Sequence, residues 1–260
     1  MAVLRKGDSG PSVLTLQKAL VAKGYKLVPD GKFGQATHNN LAAFQGANGL
    51  AADGLAGPRT LAALGIESKS ILDEIPMPRA NRDRAAAMVT LEAISKITGV
   101  DAKLLATFAS IESGFDYTAK ASTSSATGWF QFLDATWDDM LAQTSGKYGL
   151  GAFDDSKRTL RKDPRANGLM GAEFLKGNDR VLTKALGRPA TDTELYAAHF
   201  FGAGTAAKFL TMDRNAIGAE HFPRQAAANV GIFYQRDKKT PLTIGEIFKL
   251  LDSKVAAHRK

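Results

Sequence analysis

One glutamate stands where a predicted helix ends, and it is the residue of this chain best placed for acid–base chemistry. Four apolar residues precede it at helical spacing: Leu104, Leu105, Phe108 and Ile111. Asp101 is placed to cap the start of this helix and Gly114 to end it. We therefore expect Glu112 to lie on the last turn of a largely buried helix.

Burial and the helix dipole are expected to act on the Glu112 carboxyl in the same direction. Apolar neighbours disfavour a carboxylate, and the negative end of the helix dipole repels it. Both effects favour the protonated acid, which is the form that donates a proton to a glycosidic oxygen. An isolated glutamate at a helix end is usually just solvated, so the hypothesis depends on the segment that follows.

That segment combines aromatic side chains with small and polar residues. Its aromatic members are Trp129, Phe130, Phe132 and Trp137. Such rings suit stacking on sugars, and the amide of Gln131 suits acetamido or hydroxyl groups. The same rings equally fit a hydrophobic core. Tyr148, further along, is a second candidate for sugar stacking, with simple packing as the alternative.

Three sequence blocks together resemble the lytic transglycosylases of the SLT family, whose pattern is Glu-Ser, then Gly-Leu-Met-Gln, then Ala-Tyr-Asn-Ala-Gly. The first is Glu112-Ser113, and the second is Ala126-Thr127-Gly128-Trp129-Phe130-Gln131. The third is altered to Ala197-Ala198-His199-Phe200. A further trace, Asp163-Pro164-Arg165-Ala166-Asn167, is similar to the family's Asp-Pro-x-x-Asn helix start. The resemblance implies a lysozyme-like, mainly α catalytic domain.

The same resemblance implies a reaction and a set of roles. Glu112 would protonate the β-1,4 bond between N-acetylmuramic acid and N-acetylglucosamine, then act as a base while a 1,6-anhydro ring closes. Ser113 and Gln131 would orient the substrate, and Tyr196 or His199 would hold Glu112 in place. Substrate assistance by the 2-acetamido group makes a second carboxylate unnecessary.

Two alternatives stay open at this point. One is a hydrolytic muramidase acting on the same bond, with Asp116 or Asp134 as the base that activates water. The other is a wall-binding protein without activity. The presence of Glu112, Ser113, Gly128 and Gln131 together favours an enzyme over the second alternative.

The first seventy residues contain an internal repeat. Asp30-Gly31-Lys32-Phe33-Gly34-Gln35-Ala36-Thr37 returns as Asp53-Gly54-Leu55-Ala56-Gly57-Pro58-Arg59-Thr60. Each Asp-Gly predicts a tight turn that leads into a helix, so we expect a compact three-helix module. Residues 1–65 resemble the peptidoglycan-binding domain of type 1. Four residues are candidates for lining a wall-binding surface, although most such residues are structural: Asp30, Lys32, Phe33 and Gln45.

Composition limits the remaining possibilities. The chain has 260 residues, a net charge of +8, no cysteine and four histidines without metal-ligand spacing, so we expect no metal and no cofactor. The basic excess is spread along the chain, which favours general attraction to an anionic envelope over a nucleic-acid groove. We expect a peptidoglycan-binding domain at 1–65, a linker at 66–80 and the catalytic domain at 81–260, in a protein that acts as a monomer.

The two ends of the chain suggest where the protein works. The C-terminal segment from Ile244 to Val255 is amphipathic and basic, and either docks on the domain, which we prefer, or touches anionic lipid. The N-terminus lacks the apolar run of a secretory signal. A leaderless, cysteine-free wall lyase with its binding module first looks similar to endolysins of bacteriophages that infect Gram-negative hosts. We therefore expect it to stay in the host cytoplasm until a holin opens the way to the periplasm.

Overall fold

The computed structural model describes residues 3–66, 71–148, 150 and 158–259. These residues form thirteen α-helices and two short 3-10 helices, with isolated β-bridges in place of strands. The mainly α prediction is therefore confirmed. No helix among the described residues has both the length and the apolar character needed to cross a membrane.

The helices follow one another along the chain with short connections. In order they are α1 (Pro11–Ala22), α2 (Gln35–Ala47), α3 (Pro58–Ala63), α4 (Arg84–Thr98), α5 (Ala102–Ser113), α6 (Asp134–Tyr148), α7 (Pro164–Leu186), α8 (Asp192–Phe201), α9 (Ala203–Thr211), α10 (Gly218–His221), α11 (Pro223–Ala228), α12 (Val230–Phe233) and α13 (Ile244–His258). The 3-10 helices are Ile71–Glu74 and Thr159–Lys162.

The chain divides into two compact units. One comprises residues 1–76 and 132–161, and the other comprises residues 77–131 and 162–260. The division after residue 76 falls inside the predicted linker, of which residues 67–70 lie outside the described residues. Residues 132–161 group with the first unit, whereas the sequence placed them in the catalytic domain.

The repeat seen in the sequence is also a structural repeat, built on two buried glutamines. In each copy the glutamine Nε2 lies 2.8–3.1 Å from the turn aspartate, from a backbone carbonyl two residues later and from a threonine in the following helix. The glutamine Oε1 accepts the glycine N–H of the turn. The first copy contains Gln17, Asp30, Gly31, Lys32 and Thr37; the second contains Gln45, Asp53, Gly54, Leu55 and Thr60.

This arrangement corrects two of the four wall-binding predictions. Phe33 and Gln45 are each 2% exposed, so both belong to the interior of the module and do not line a surface. Asp30 and Lys32 are exposed. The hydrogen bond from Gln17 holds the pKa of Asp30 below its ordinary value, so the Asp30 carboxylate is already engaged in shaping the turn.

The second unit is organised around α7, its longest helix. Asp163 caps the start of α7 and Pro164 occupies its first turn. Helix α7 contacts α4, α5, α8 and α9. Two glycines let its neighbours approach closely. A Cβ added at Gly168 would lie 2.4 Å from Ile94 of α4, and one at Gly171 would lie 2.7 Å from the ring of Phe130.

Helix α13 completes the second unit. Its apolar stripe is buried, comprising Ile244, Ile247, Leu251 and Val255, and it contacts α5 and α8. A capping box between Thr243 and Glu246 fixes the start of the helix. Of the two alternatives for this segment, the docked one is what the structure shows.

Candidate active site

Helix α5 brings Glu112 to its predicted position. The Asp101 side chain accepts backbone N–H groups of the first turn, and Gly114 ends the helix with a left-handed backbone at φ 59°. Glu112 therefore lies on the last turn, next to the segment that leads to Gln131. The helix prediction and both of its boundaries are confirmed.

The Glu112 carboxyl lies beside an imidazole on another helix. Oε1 of Glu112 lies 3.3 Å from Nε2 of His199 in α8, and the two side chains are 18% and 16% exposed. Solvent and substrate therefore have limited access to the pair. The sequence predicted apolar neighbours for Glu112, with Tyr196 or His199 to hold it in place, and the structure has His199 in contact with the carboxyl.

His199 is held inside an aromatic box. The rings of Phe108 and Phe174 meet it at nearly right angles, with centroids 5.7 and 5.8 Å away. The ring of Tyr196 is stacked on it, with 14° between the planes and 6.3 Å between centroids. Nδ1 of His199 is buried and finds no hydrogen-bond partner among the described residues. The box fixes the imidazole so that only Nε2 faces a polar group.

Tyr196 lies in the interior, next to His199. It is 2% exposed. Burial raises the pKa of its phenol; contact with the Lys254 ammonium of α13 lowers that pKa, and the negative charge of Glu112 raises it further. The structure thus brings together both residues that the sequence offered as partners of Glu112, with the imidazole as the one in contact.

Ser113 joins the end of α5 to the following segment. Its Oγ lies 3.0 Å from the carbonyl oxygen of Ala109 and 3.1 Å from that of Trp129. The indole N–H of Trp129 donates in turn to the carbonyl of Phe115 at 2.8 Å. A hydroxyl has one proton to donate, and here that proton faces the main chain. These contacts fit a role in holding the segment, and substrate binding by Ser113 stays a prediction.

Gln131 is held in an unusual backbone conformation. Its φ is 47°, a left-handed value that costs free energy for a residue other than glycine. Its Nε2 donates to the carbonyl of Gly128 at 2.8 Å. Oε1 receives no hydrogen bond from the described residues, so the amide presents an acceptor that suits the N–H of an acetamido group. That role is still a prediction.

The side chain of Asn167 in α7 holds the segment that contains Thr127 and Phe130. The sequence did not reveal this role. Its side chain is fully buried. Oδ1 accepts the N–H of Phe130 at 3.0 Å, and Nδ2 lies 3.5 Å from the carbonyl of Thr127. The signal was present in the Asp-Pro-x-x-Asn pattern, which was interpreted only as a helix start.

The aromatic residues proposed for sugar stacking are in fact buried: Trp129, Phe130, Phe132 and Trp137. The core alternative is therefore correct for them. Tyr148 is 4% exposed, and the Lys147 ammonium lies 4.9 Å from its ring centroid. The structure gives no support to sugar stacking on Tyr148.

Asp116, one of the two candidate bases for hydrolysis, is fully engaged by its neighbours. Oδ1 accepts from the Asn81 side chain and from both the N–H and hydroxyl of Thr118, while Oδ2 accepts two N–H groups of Arg82, all at 2.7–2.9 Å. Burial raises the pKa of Asp116, but these hydrogen bonds outweigh burial and hold the pKa well below its ordinary value. Such a carboxylate is a poor base for activating water.

Asp134, the other candidate base, is paired with two arginines. Its Oδ1 lies 2.7 Å from Arg161 and its Oδ2 lies 3.3 Å from Arg158. Both carboxylates named for the hydrolytic alternative therefore have structural partners.

Two family models match the chain. Residues 9–64 match a putative peptidoglycan binding domain, and residues 90–215 match a transglycosylase SLT domain. The first match covers about a fifth of the chain and the second just under half. They agree with the two resemblances found from sequence motifs.

Curated relatives share a short stretch of similarity with the chain. N-acetylmuramoyl-L-alanine amidase CwlL of Bacillus licheniformis is 41% identical over 73 residues, which is 26% of this chain and 20% of the relative. The amidase CwlM of Mycobacterium tuberculosis is 50% identical over 56 residues, or 21% and 14%. The zinc D-Ala-D-Ala carboxypeptidase of Streptomyces albus G is 47% identical over 60 residues, or 22% and 24%. The chain spans less than a quarter of each relative.

One solved structure aligns along nearly the whole chain. It is the crystal structure of the Burkholderia AP3 phage endolysin, with 19% identity, coverage of 99% of this chain and 97% of that one, and a TM-score of 0.25. A likeness at that TM-score supports no statement about the fold or the function of this chain.

Proposed function

We propose that this chain, which carries a putative peptidoglycan-binding domain followed by a transglycosylase SLT domain, is a lytic transglycosylase. It cleaves the β-1,4 bond between N-acetylmuramic acid and N-acetylglucosamine, with Glu112 as general acid and then general base. The observation that carries the proposal is the half-buried Glu112 carboxyl, set 3.3 Å from an imidazole that an aromatic box holds in place.

The contacts of His199 support a role for it beside Glu112. An imidazolium, or the Nδ1–H tautomer, would place an N–H at a buried atom that has no acceptor among the described residues, which is costly. The Nε2–H tautomer avoids that cost and places its N–H on the side of Glu112, whose Oε1 lies 3.3 Å away. In the proposed mechanism this N–H stabilises Oε1 electrostatically, and Oε2 exchanges a proton with the substrate.

The proton balance then closes without water. Glu112 protonates the oxygen of the leaving N-acetylglucosamine as the glycosidic bond breaks, and the 2-acetamido group of the substrate supports the developing cation. The Glu112 carboxylate takes the proton of the C6 hydroxyl, and the C6 oxygen bonds to C1. The product is a 1,6-anhydromuramoyl end, and Glu112 is protonated again.

The engagement of Asp116 and Asp134 favours this route over hydrolysis. A base that activates water needs a free lone pair and an accessible position. Asp116 accepts five hydrogen bonds from the protein, and Asp134 is paired with two arginines. Hydrolysis therefore has no favoured base between these two candidates.

The test combines one variant with product analysis on purified peptidoglycan. Glu112→Gln is expected to lower the cleavage rate by about 10²- to 10⁴-fold, the usual effect of losing a general acid–base group. Glu92→Gln, at an exposed position of α4, is the matched control and should retain the parent rate. Mass spectrometry of the parent digest should show anhydro ends.

Two outcomes would contradict the proposal in different ways. If Glu112→Gln clears wall suspensions as fast as the parent, Glu112 is not the acid. If the parent products instead carry one additional water, the enzyme is a muramidase acting on the same bond.

We also propose that the protein acts as an endolysin, which remains in the host cytoplasm until a holin gives it access to the wall. The pairing of a wall-binding domain with a glycan-cleaving domain supports this role. Expression in a Gram-negative host should cause lysis only when a holin is co-expressed, and Glu112→Gln should abolish that lysis. Rapid lysis without a holin would refute the proposed route.

A further inference from the structure

The SLT match ends at residue 215, yet α13 reaches the two helices that carry Glu112 and His199. The buried stripe of α13 fixes the helix in the second unit, and polar contacts tie it to both partners. On the α5 side, Nδ1 of His258 lies 2.8 Å from Oγ of Ser110, two residues before Glu112. On the α8 side, Thr193 donates to Asp252 at 2.6 Å. Helix α13 therefore helps to set the spacing of the catalytic pair.

One side chain of α13 also reaches the aromatic box. Nζ of Lys254 lies 5.4 Å from the ring centroid of Tyr196. Tyr196 is stacked on His199, and His199 contacts Glu112. The groups thus form a continuous series from an exposed cation on α13 to the carboxyl on α5. The positive charge of Lys254 lowers the pKa of the Tyr196 phenol, and the negative charge of Glu112 raises it.

We propose that Lys254 is a positioning residue of the glycan-cleaving centre, acting through the Tyr196 phenol. The ammonium lies 5.4 Å from the centroid of the phenol ring and repels the positive end of the O–H dipole, so we expect the phenol O–H to turn away from α13 and toward the Glu112 side. There the O–H dipole stabilises the carboxylate that forms when Glu112 gives up its proton. This inference depends on the proposed function, because it assigns a role within the same site.

The effect is expected on turnover more than on binding, since Lys254 stabilises a state that forms during the reaction. Lys254→Met should lower kcat by about tenfold with little change in KM, which is the scale of losing one hydrogen bond. Lys254→Arg keeps a cationic donor and should restore most of the rate. Lys249→Met removes an exposed cation from the same helix and should match the parent.

Two further measurements separate positioning from mere structural support. If Lys254 acts through the phenol, Lys254→Met added to Tyr196→Phe should cause no further loss of kcat. In addition, Lys254→Met should shift the ultraviolet titration of Tyr196 to higher pH, because a cation favours the phenolate. That titration is read from the difference between each protein and its Tyr196→Phe form, and it needs no substrate.

The outcomes are distinct. Parent-like kcat in Lys254→Met, an additive loss in the double variant, or an unmoved tyrosine titration would each overturn the role of Lys254. If Glu112→Gln is inactive while Lys254→Met behaves as the parent, only this inference fails. If Glu112→Gln retains activity, the proposed function fails, and the tyrosine titration still tests the Lys254–Tyr196 contact.

Discussion

Replacing Asp116 by asparagine should destabilise the second unit while leaving its chemistry intact. The carboxylate accepts five hydrogen bonds, two of them from Arg82. The side-chain oxygen of asparagine still accepts hydrogen bonds on one side of this network. On the other side its NH2 group faces the Arg82 guanidinium, so that two donors meet without an acceptor. Hydrogen bonds to a charged group contribute about 1.5–3 kcal/mol each. The Arg82 side chain is 74% exposed, so water replaces much of the hydrogen bonding that the guanidinium loses. We therefore expect Asp116→Asn to lower the free energy of unfolding by about 2 kcal/mol.

The pH dependence of the stability difference between the parent and Asp116→Asn tests whether the ionised carboxylate is its source. The folded-state pKa of Asp116 lies below its ordinary value of 3.8, so its stabilising contribution is fully present above pH 3.8 and is lost as the pH falls toward the folded-state pKa. The stability gap between the parent and Asp116→Asn should therefore be constant near neutral pH and shrink progressively below about pH 4.

Urea unfolding of both proteins across this pH range measures the gap directly, and Glu92→Gln serves as the control for removing one exposed carboxylate. Glycan cleavage at neutral pH, where the variant is folded, should stay near the parent rate. The reasoning is refuted if the gap is the same at pH 3 and pH 7. A variant of parent stability with greatly reduced cleavage would instead make Asp116 a catalytic base.

Three other substitutions test separate parts of the structure. His199→Phe should slow turnover by about 10- to 100-fold, and His199→Gln should restore much of it because its amide keeps a donor toward Glu112, as steady-state kinetics will show. Gln45→Leu should lower the unfolding free energy of the first unit by about 2–4 kcal/mol, because the Gly54 N–H loses its acceptor and the turn aspartate and the threonine lose their donor; calorimetry that leaves this transition unchanged would contradict the proposed network. Gly171→Ala should cost about 1–3 kcal/mol and reduce activity by pushing on an aromatic ring 2.7 Å away, whereas Gly177→Ala on the same helix, with its nearest neighbour at 3.9 Å, should be neutral or stabilising in thermal unfolding.

Features that depend on neighbouring residues along the chain were predictable. The limits of α5 follow from Asp101 and Gly114, because capping depends on a few adjacent residues. The mainly α class follows from apolar spacing in the same way. The Asp-Gly repeat also predicted two similar turns, because the local sequence determines where a tight turn forms.

Features that depend on contacts through space could not be predicted from periodicity, and the contact of His199 with Glu112 was expected only from the family resemblance. Gln45 is a polar residue, yet it is buried because its amide forms hydrogen bonds with a turn and a helix at once. Asn167 meets Phe130 across 37 residues of chain. The aromatic run after Glu112 fitted both a sugar platform and a core, and only packing distinguishes these two. Periodicity carries no information on which distant helix a side chain will meet.

The ties of α13 bear on how the protein is best handled in the laboratory. His258 and Arg259 contact Ser110 and Asp192, respectively, so a purification tag or fusion partner attached just after them would begin beside the helices that hold the reactive pair. A fusion joined there without a spacer would disturb the positions of Glu112 and His199. The resulting loss of activity would then be wrongly attributed to the choice of fusion partner. Cargo is better joined at the opposite terminus, or through a flexible glycine-rich spacer.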